Sequence, residues 1–264
     1  MDNNLPKKSL GQHWLRDEAS LEYITALANL NSSETVLEVG PGLGLLTKQL
    51  INKAGQVIAI EIDQRLTKYL TSQKLNKLKL INQDILKFDL NQSPHPYKIV
   101  ANLPYYLSGQ FIRLISETTN PPDLAVLLLQ KEVADKLAAS PGDMSVLAFT
   151  AQIYWQVSLG KIMPASYFDP VPKVDSRVVV LNRRHQAMFD LDYSALFRIV
   201  KIGFAQKRKT LLNSLSSGLR IDKELVIKAC QQAGIEHSLR AQVLSLEDWT
   251  RLYESLKPFV DKNT

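Results

Sequence analysis

One stretch limits the fold of this 264-residue chain more than any other, residues 35–54, which read "TVLEVGPGLGLLTKQLINKA". A short apolar run of strand character meets the loop Gly40-Pro41-Gly42-Leu43-Gly44, and beyond it leucines and an isoleucine recur at helical spacing. Strand, tight glycine turn and helix in that order open a crossover unit, which needs a parallel sheet to return to. The pattern that follows supplies one. Strand-like "QVIAIEID" comes after Gly55, then helical "QRLTKYLTSQKL", then "LKLINQDI" and, past the turn at Ser93-Pro94-His95-Pro96, "YKIVANLPY". Further β-rich runs lie at residues 123–130 and 176–183, and "SVLAFTAQIYWQVSLGKI" reads as a helix leading into a strand. The expected fold class is α/β, a parallel sheet covered on both faces by helices.

From residue 190 only the helical period remains, in "YSALFRIVKIGFAQ", "RKTLLNSLSSGL", "KELVIKACQQAG" and "LEDWTRLYESLKPFV", with Gly218, Gly234 and Pro258 where helix ends are expected. Two domains are therefore predicted, residues 1–184 and an all-helical 190–264. A 45% hydrophobic and 22% charged chain has the ordinary globular mix. No apolar run approaches the roughly 18–20 residues that span a bilayer. Lys7 and Lys8 are not followed by an apolar stretch and cleavage site, so a cytoplasmic protein is expected. The single cysteine, Cys230, excludes an internal disulfide and reads as a small core residue. The four histidines (His13, His95, His185, His237) are too scattered for a metal motif, and no metal is expected. The net charge of +6 favours polyanionic partners without requiring them.

The chemistry concentrates at the strand ends. Around residues 40–44 backbone amides are expected to point outward at a helix start, so a ligand is expected across this edge. The third glycine comes one residue early for a dinucleotide fingerprint and position 45 is leucine, which favours a ligand without phosphates. Glu61, 21 positions after Gly40 at the end of the second strand, can accept from both hydroxyls of a ribose. Asp84, ending the third, can accept from an adenine amino group. Adenine, ribose and an amino-acid tail along three strand ends describe S-adenosylmethionine; for the glycines alone, a plain tight turn is the alternative. After the fourth strand, Asn102-Leu103-Pro104-Tyr105 offers a side-chain carbonyl and a proline-fixed backbone, a site of acceptors. Two acceptors on the hydrogens of a ring-conjugated amine would draw its nitrogen toward tetrahedral geometry and free the lone pair to attack a methyl sulfonium, with Tyr105 stacked on a flipped base. A β-turn with an aromatic plug is the alternative. Finally, Arg198, Lys201, Lys207, Arg208, Lys209 and Arg220 form an acid-free run at the start of the helical domain, which Lys7, Lys8, Arg183 and Arg184 could extend. Phosphate contact is expected there, at Lys207, Arg208 and Lys209 above all.

Taken in order, "KKSLGQHWLRD", "VLEVGPGLGLLT", "IEID", "QDIL", "VANLPYYLSG", "LLLQKEVADKLAASPG", "FDPVPKVDSRVVVL" and "GFAQKRKTLLNSL" resemble the ribosomal RNA adenine dimethyltransferase family over roughly residues 6–215. The resemblance implies a class I, Rossmann-like methyltransferase sheet that uses S-adenosylmethionine. The Pro-Lys-Val-Asp-Ser run and the basic Thr-Leu run favour the small-subunit branch, which dimethylates two adjacent adenines in the 3′-terminal hairpin loop of 16S rRNA during ribosome biogenesis. It implies a cofactor site of His13, Leu15, Gly40, Glu61, Asp84 and Asn102, with Gly42 and Ile62 as neighbours. Asn102 and Tyr105 would act at the reacting base and Phe168 would cover its other face, unless Phe168 is only a hydrophobic anchor. The implied partner is 16S rRNA in the assembling small subunit, with no membrane and a monomeric chain. Two departures stand out. The family's Gly-Gln-Asn-Phe is here Gly11-Gln12-His13-Trp14, where a His13 ring nitrogen can donate as the asparagine amide would and Trp14 keeps the aromatic bulk. The usual Lys-x-Tyr-Gly turn is replaced by Asp143-Met144-Ser145-Val146. A methyltransferase for large-subunit RNA is the nearer alternative; against a non-catalytic assembly factor stand the intact Asn102, Tyr105, Glu61 and Asp84.

Overall fold

The computed structural model describes residues 5–7 and 10–260; Lys8, expected to extend the basic run, lies outside them. The described chain divides into two compact units, residues up to 135 with 155–184, and 136–154 with those from 185 onward.

The first unit holds nine strands: β1 (Trp14–Leu15), β2 (Thr35–Val39), β3 (Gln56–Glu61), β4 (Leu78–Asn82), β5 (Tyr97–Asn102), β6 (Leu124–Gln130), β7 (Trp155–Met163), β8 (Phe168–Asp169) and β9 (Ser176–Arg183). Seven form one sheet in the order β4-β3-β2-β5-β6-β9-β7, and β1 pairs only with β8 in a separate ribbon. β4, β3, β2, β5 and β6 are mutually parallel, whereas β9 runs antiparallel to both β6 and β7. The expected parallel sheet thus carries an antiparallel edge, where β7 reaches β9 without an intervening α-helix, as antiparallel neighbours can. β2, β3 and β6 bury consecutive residues such as Val36, Leu37, Val57, Ile58 and the run from Ala125 to Leu129. Burial on both faces is why they read as unbroken apolar stretches. Around the sheet stand α1 (Glu18–Leu27), α2 (Leu45–Lys53), α3 (Gln64–Ser72) and α4 (Ser108–Glu117), and α5 (Lys131–Leu137) leads the chain out of the unit. The chain builds β3 and β4 to one side of β2 and β5 and β6 to the other. The strand order therefore reverses between β2 and β5, where an open α/β sheet forms its binding crevice.

The second unit is helical: α6 (Val146–Tyr154), α7 (Tyr193–Phe204), α8 (Leu211–Leu219), α9 (Lys223–Ala233) and α10 (Leu246–Val260). The boundaries read from the sequence, 1–184 and 190–264, differ from this division because residues 136–154 belong to the helical unit. Met144, Ala148, Phe149 and Ile153 share one core with Leu196, Phe197, Leu215, Trp249 and Leu252. Gly234 ends α9 in the left-handed region at φ 68°, as expected of a helix-terminating glycine. Gly218 instead lies inside α8, whose end is capped by Arg220 at φ 55°. Pro258 lies inside α10, where burial of Trp249, Leu252, Tyr253 and Leu256 along one face holds the helix past it.

Candidate active site

At the carboxyl ends of β2, β3, β4 and β5 the first unit opens a cleft of about 750 Å³, the space open to solvent included. It brings together His13, Gly40, Gly42, Glu61, Ile62, Asp84, Asn102 and Tyr105, all singled out in the sequence.

The glycine loop is shaped by close approach. Gly42 has φ 59°, and a Cβ there would stand 2.9 Å from Trp14 Nε1. Gly44 has φ 78°, and its Cβ would stand 2.6 Å from Leu70 Cδ2. Of the amides expected to face outward, three are engaged within the protein. The Gly40 amide donates to the Ile60 carbonyl at 2.9 Å, Gly44 to the Pro41 carbonyl at 2.8 Å and Gly42 to Glu61 Oε2 at 3.2 Å. With these amides engaged inside the protein, the loop lacks the anion cradle of a phosphate site and suits a ligand without phosphate.

Glu61 ends β3 as a buried carboxylate, accepting from Gly42 and, through Oε1, from the Asp63 amide at 2.8 Å. Burial pushes its carboxyl above the ordinary range, and the amides of Asp63 and Gly42 partly oppose the shift. Lone pairs remain for further donors such as sugar hydroxyls. Asp84 stands two residues past β4 rather than at its end, capping a 3-10 turn with Oδ1 accepting from the Leu86 amide at 3.0 Å. Its second oxygen is left for the cleft. On β2, the buried Glu38 lines a smaller cavity of about 340 Å³ behind the loop, with Trp14 and Leu15. Burial pushes the Glu38 carboxyl up to about 8; the Thr47 hydroxyl opposes this and the neighbouring Glu61 adds to it.

Asn102 is the last residue of β5. Its amide nitrogen donates to the His13 carbonyl at 3.0 Å, which fixes the side-chain orientation and leaves Oδ1 as an acceptor. The Pro104 carbonyl accepts from the Leu107 amide at 3.0 Å, which makes the Leu103 carbonyl the candidate backbone acceptor beside Asn102. The Tyr105 hydroxyl bonds the buried Ser176 hydroxyl at 3.1 Å, and the ring stacks on His13 at 5.6 Å.

The N-terminal wall of the cleft is a strap bound at both ends. Asp63, its side chain 1% exposed, pairs with Lys7 at 3.3 Å and Arg65 at 2.7 Å and accepts from Gln12. The Arg65 guanidinium holds the Asp63 carboxyl down to about 2. Past the strap, β1 pairs with β8, Arg16 meets Asp169 at 2.9 Å, and His13 Nδ1 bonds the Pro170 carbonyl at 2.7 Å. A carbonyl only accepts, so the His13 proton sits on Nδ1 and points away from the cleft. Nδ1 is therefore engaged within the protein, and Nε2 is the ring nitrogen left for a ligand.

Two further expectations, for Phe168 and Leu15, meet a different geometry. Phe168, 3% exposed, sits in the core with Leu15, Met163 and Val178 and does not line the cleft. Its anchoring role follows from the β1–β8 pairing. Leu15 is likewise buried and lines only the smaller cavity. Lys207, Arg208 and Lys209 are exposed in the turn between α7 and α8, in the other unit. Sequence reasoning missed Tyr106, 58% exposed on the cleft rim, along with Gln83 and Ile85. It also missed Asp63, although the "IEID" run put a second acid beside Glu61.

The description "Ribosomal RNA adenine dimethylase" matches residues 3–258. The chain belongs to the ribosomal RNA adenine dimethylase family. Within that family it is 41% identical to the ribosomal RNA small subunit methyltransferase A of Dehalococcoides mccartyi, covering 93% of this chain and 87% of that protein. To the protein of the same name from Streptococcus equi subsp. zooepidemicus it is 37% identical, covering 95% and 92%. Among solved structures, a dimethyladenosine transferase from Plasmodium falciparum superposes with a TM-score of 0.77 at 25% identity over 92% of this chain and 97% of that one. The 23S rRNA methyltransferase ErmE superposes at 0.72 and 28% identity over 92% and 99%. The adenine dimethylase fold thus extends across nearly the whole chain, and the methyltransferase sheet expected from the glycine loop is the one observed.

Proposed function

We propose that this chain transfers methyl groups from S-adenosylmethionine to the exocyclic amines of two adjacent adenines in the 3′-terminal hairpin loop of 16S rRNA, in assembling small subunits. The observation that carries this reading is the acceptor set at the end of β5, where the His13 carbonyl holds the Asn102 amide nitrogen and leaves Oδ1 to accept. The cleft fits the cofactor: Asp84 has an oxygen for an adenine amine, Glu61 has lone pairs for ribose hydroxyls, and the glycine loop offers no phosphate cradle. When bound, the cofactor supplies a methyl group on a positively charged sulfur.

The protein's contribution is positional. Asn102 Oδ1 and the Leu103 carbonyl accept from the two hydrogens of the amine, turning its lone pair out of conjugation and toward the methyl carbon. Tyr105, its hydroxyl fixed by Ser176, offers a ring for base stacking. As the nitrogen–carbon bond forms, the carbon–sulfur bond breaks, and the extra proton leaves from the cationic product, so no general base is required. Lys207, Arg208 and Lys209 meet RNA phosphates. The chain is read as a monomer, and the substrate implies work in the bacterial cytoplasm.

Small-subunit 30S particles lacking the modification, and naked 23S rRNA, are incubated with labelled cofactor and digested to nucleosides. Dimethyladenosine at two adjacent adenines of the 30S RNA is expected. Label in 23S rRNA would move the assignment to the large subunit, the reading that the likeness to ErmE favours. Transfer to neither RNA, with cofactor binding intact, would overturn the methyltransferase reading.

A further inference from the structure

Tyr105 and Tyr106 are consecutive in the 3-10 turn that follows β5, yet their rings keep different company. Tyr105 is engaged with Ser176 and His13. Tyr106 lies against the strap, where a Cβ on Gly11 would stand 3.5 Å from its Cδ1 and 3.7 Å from its Cε1. It lines the cleft together with Glu61 and Asp84 and is 58% exposed, so the ring is open to whatever the cleft holds. Its hydroxyl is raised above the usual tyrosine range by partial burial and by the negative charges of Asp84 and Glu61, which puts the phenol on their side of the cleft.

Asp84 and Glu61 are the carboxylates assigned above to the adenine amine and the ribose hydroxyls. Such acceptors hold the edges of a nucleoside and leave its flat faces to apolar cover. Among the described residues, Ile62, 47% exposed, and Tyr106 are the large apolar side chains of this cleft that stand open to solvent. Of these two, the tyrosine brings an aromatic face, on which a base can stack. The strap passes along one edge of that ring, so it loses little freedom when a base settles against it. We infer that Tyr106 is a cofactor-binding residue, its ring covering the adenosine of S-adenosylmethionine, while the neighbouring Tyr105 serves the target base. This inference rests on the S-adenosylmethionine reading above.

The test is calorimetry on wild type, Tyr106→Ala and Tyr106→Phe with two ligands: S-adenosylhomocysteine, and 5′-methylthioadenosine, which keeps the nucleoside and lacks the amino-acid tail. Tyr106→Ala is expected to weaken both about tenfold, within the range of one lost base–aromatic stack, and Tyr106→Phe, which restores the ring, to recover the affinity. Unchanged affinity in Tyr106→Ala would mean an idle ring, and a loss for S-adenosylhomocysteine alone would mean a contact with the tail. Tyr106→Phe as weak as Tyr106→Ala would mean a hydroxyl contact, and a loss confined to RNA binding would give the ring to the target base. Each of these overturns the inference with cofactor binding intact. Wild type binding neither ligand would instead overturn the cofactor reading itself. Should Tyr106→Ala not fold, nitration of wild-type tyrosines by tetranitromethane decides, mapped by mass spectrometry. Both ligands should protect Tyr106; nitration of Tyr106 at the same rate with and without S-adenosylhomocysteine overturns the inference.

Discussion

At the scale of single residues, Asn102 and Glu38 show how one bond or its absence sets a role. The His13 carbonyl orients Asn102, and removing the side chain by Asn102→Ala deletes the acceptor offered to the amine. Turnover at saturating cofactor should fall about a hundredfold or more, the usual loss for one transition-state hydrogen-bonding group, while RNA binding in a filter assay is retained. Near-normal turnover would remove Asn102 from the reaction. Glu38 is ordinary in sequence and unusual in place. Its carboxyl, pushed up to about 8 from a usual 4.5, is neutral in the folded chain where the unfolded chain ionises it. Its contribution to stability is therefore complete below pH 4.5 and is lost as pH rises through 8. Glu38→Gln should flatten this dependence, with a melting temperature that gains on wild type between pH 5 and pH 8 and then levels off, on a scale of about 1.4 kcal/mol for each pH step over which only the unfolded chain is ionised. Parallel melting curves across that range would show that Glu38 ionises freely.

At the scale of elements, legibility in the sequence follows how each element is held. The strands β2, β3, β5 and β6 were readable because both faces are buried, and their ends placed Gly40, Glu61 and Asn102 at one crevice. Asp84 was readable from the apolar run before it, although β4 is a partly exposed edge strand and Asp84 caps a turn two residues beyond it. β1 and β8 were not readable, since two residues carry no period and their partners lie more than 150 positions apart, as the separation of 153 between Arg16 and Asp169 shows. That unseen pairing is also why Phe168 was expected at the substrate and is found in the core. Helix ends show the same limit. Gly218 resembles a terminator in sequence, but its function is contact, for a Cβ there would stand 2.3 Å from Ile202 Cγ2. Gly218→Ala would ordinarily strengthen a helix by about 1 kcal/mol. Here the β-branched Ile202, stiff at χ1, cannot yield cheaply, and overpacking costs about 1–3 kcal/mol. The substitution should lower the denaturant midpoint of the helical unit; a raised midpoint would mean that α7 and α8 part to admit the methyl.

At the scale of the molecule, the division into two units separates the chemistry from the basic turn. The residues lining the cleft belong to the first unit, while Lys207, Arg208 and Lys209 are exposed in the second. Replacing all three with alanine should weaken RNA binding and flatten its logarithmic salt dependence by about two units, at roughly 0.7 per single-strand phosphate contact. Affinity for S-adenosylhomocysteine should be unchanged. An unaltered salt slope would return the turn to a solvated surface.

The fastening of the strap has a consequence in time. His13 reaches Pro170 across 157 positions, so the first wall of the cleft to leave the ribosome waits for one of the last segments of its unit before it can be fixed. Closing so long a loop is entropically costly, and contacts of such separation form late in folding. A nascent chain stopped short of residue 168 already carries Glu61, Asp84 and Asn102 but has nothing to pair with β1. The carbonyl that orients Asn102 is then held from the Asp63 side alone. Translation itself is therefore expected to set when the strap is fastened at its second end.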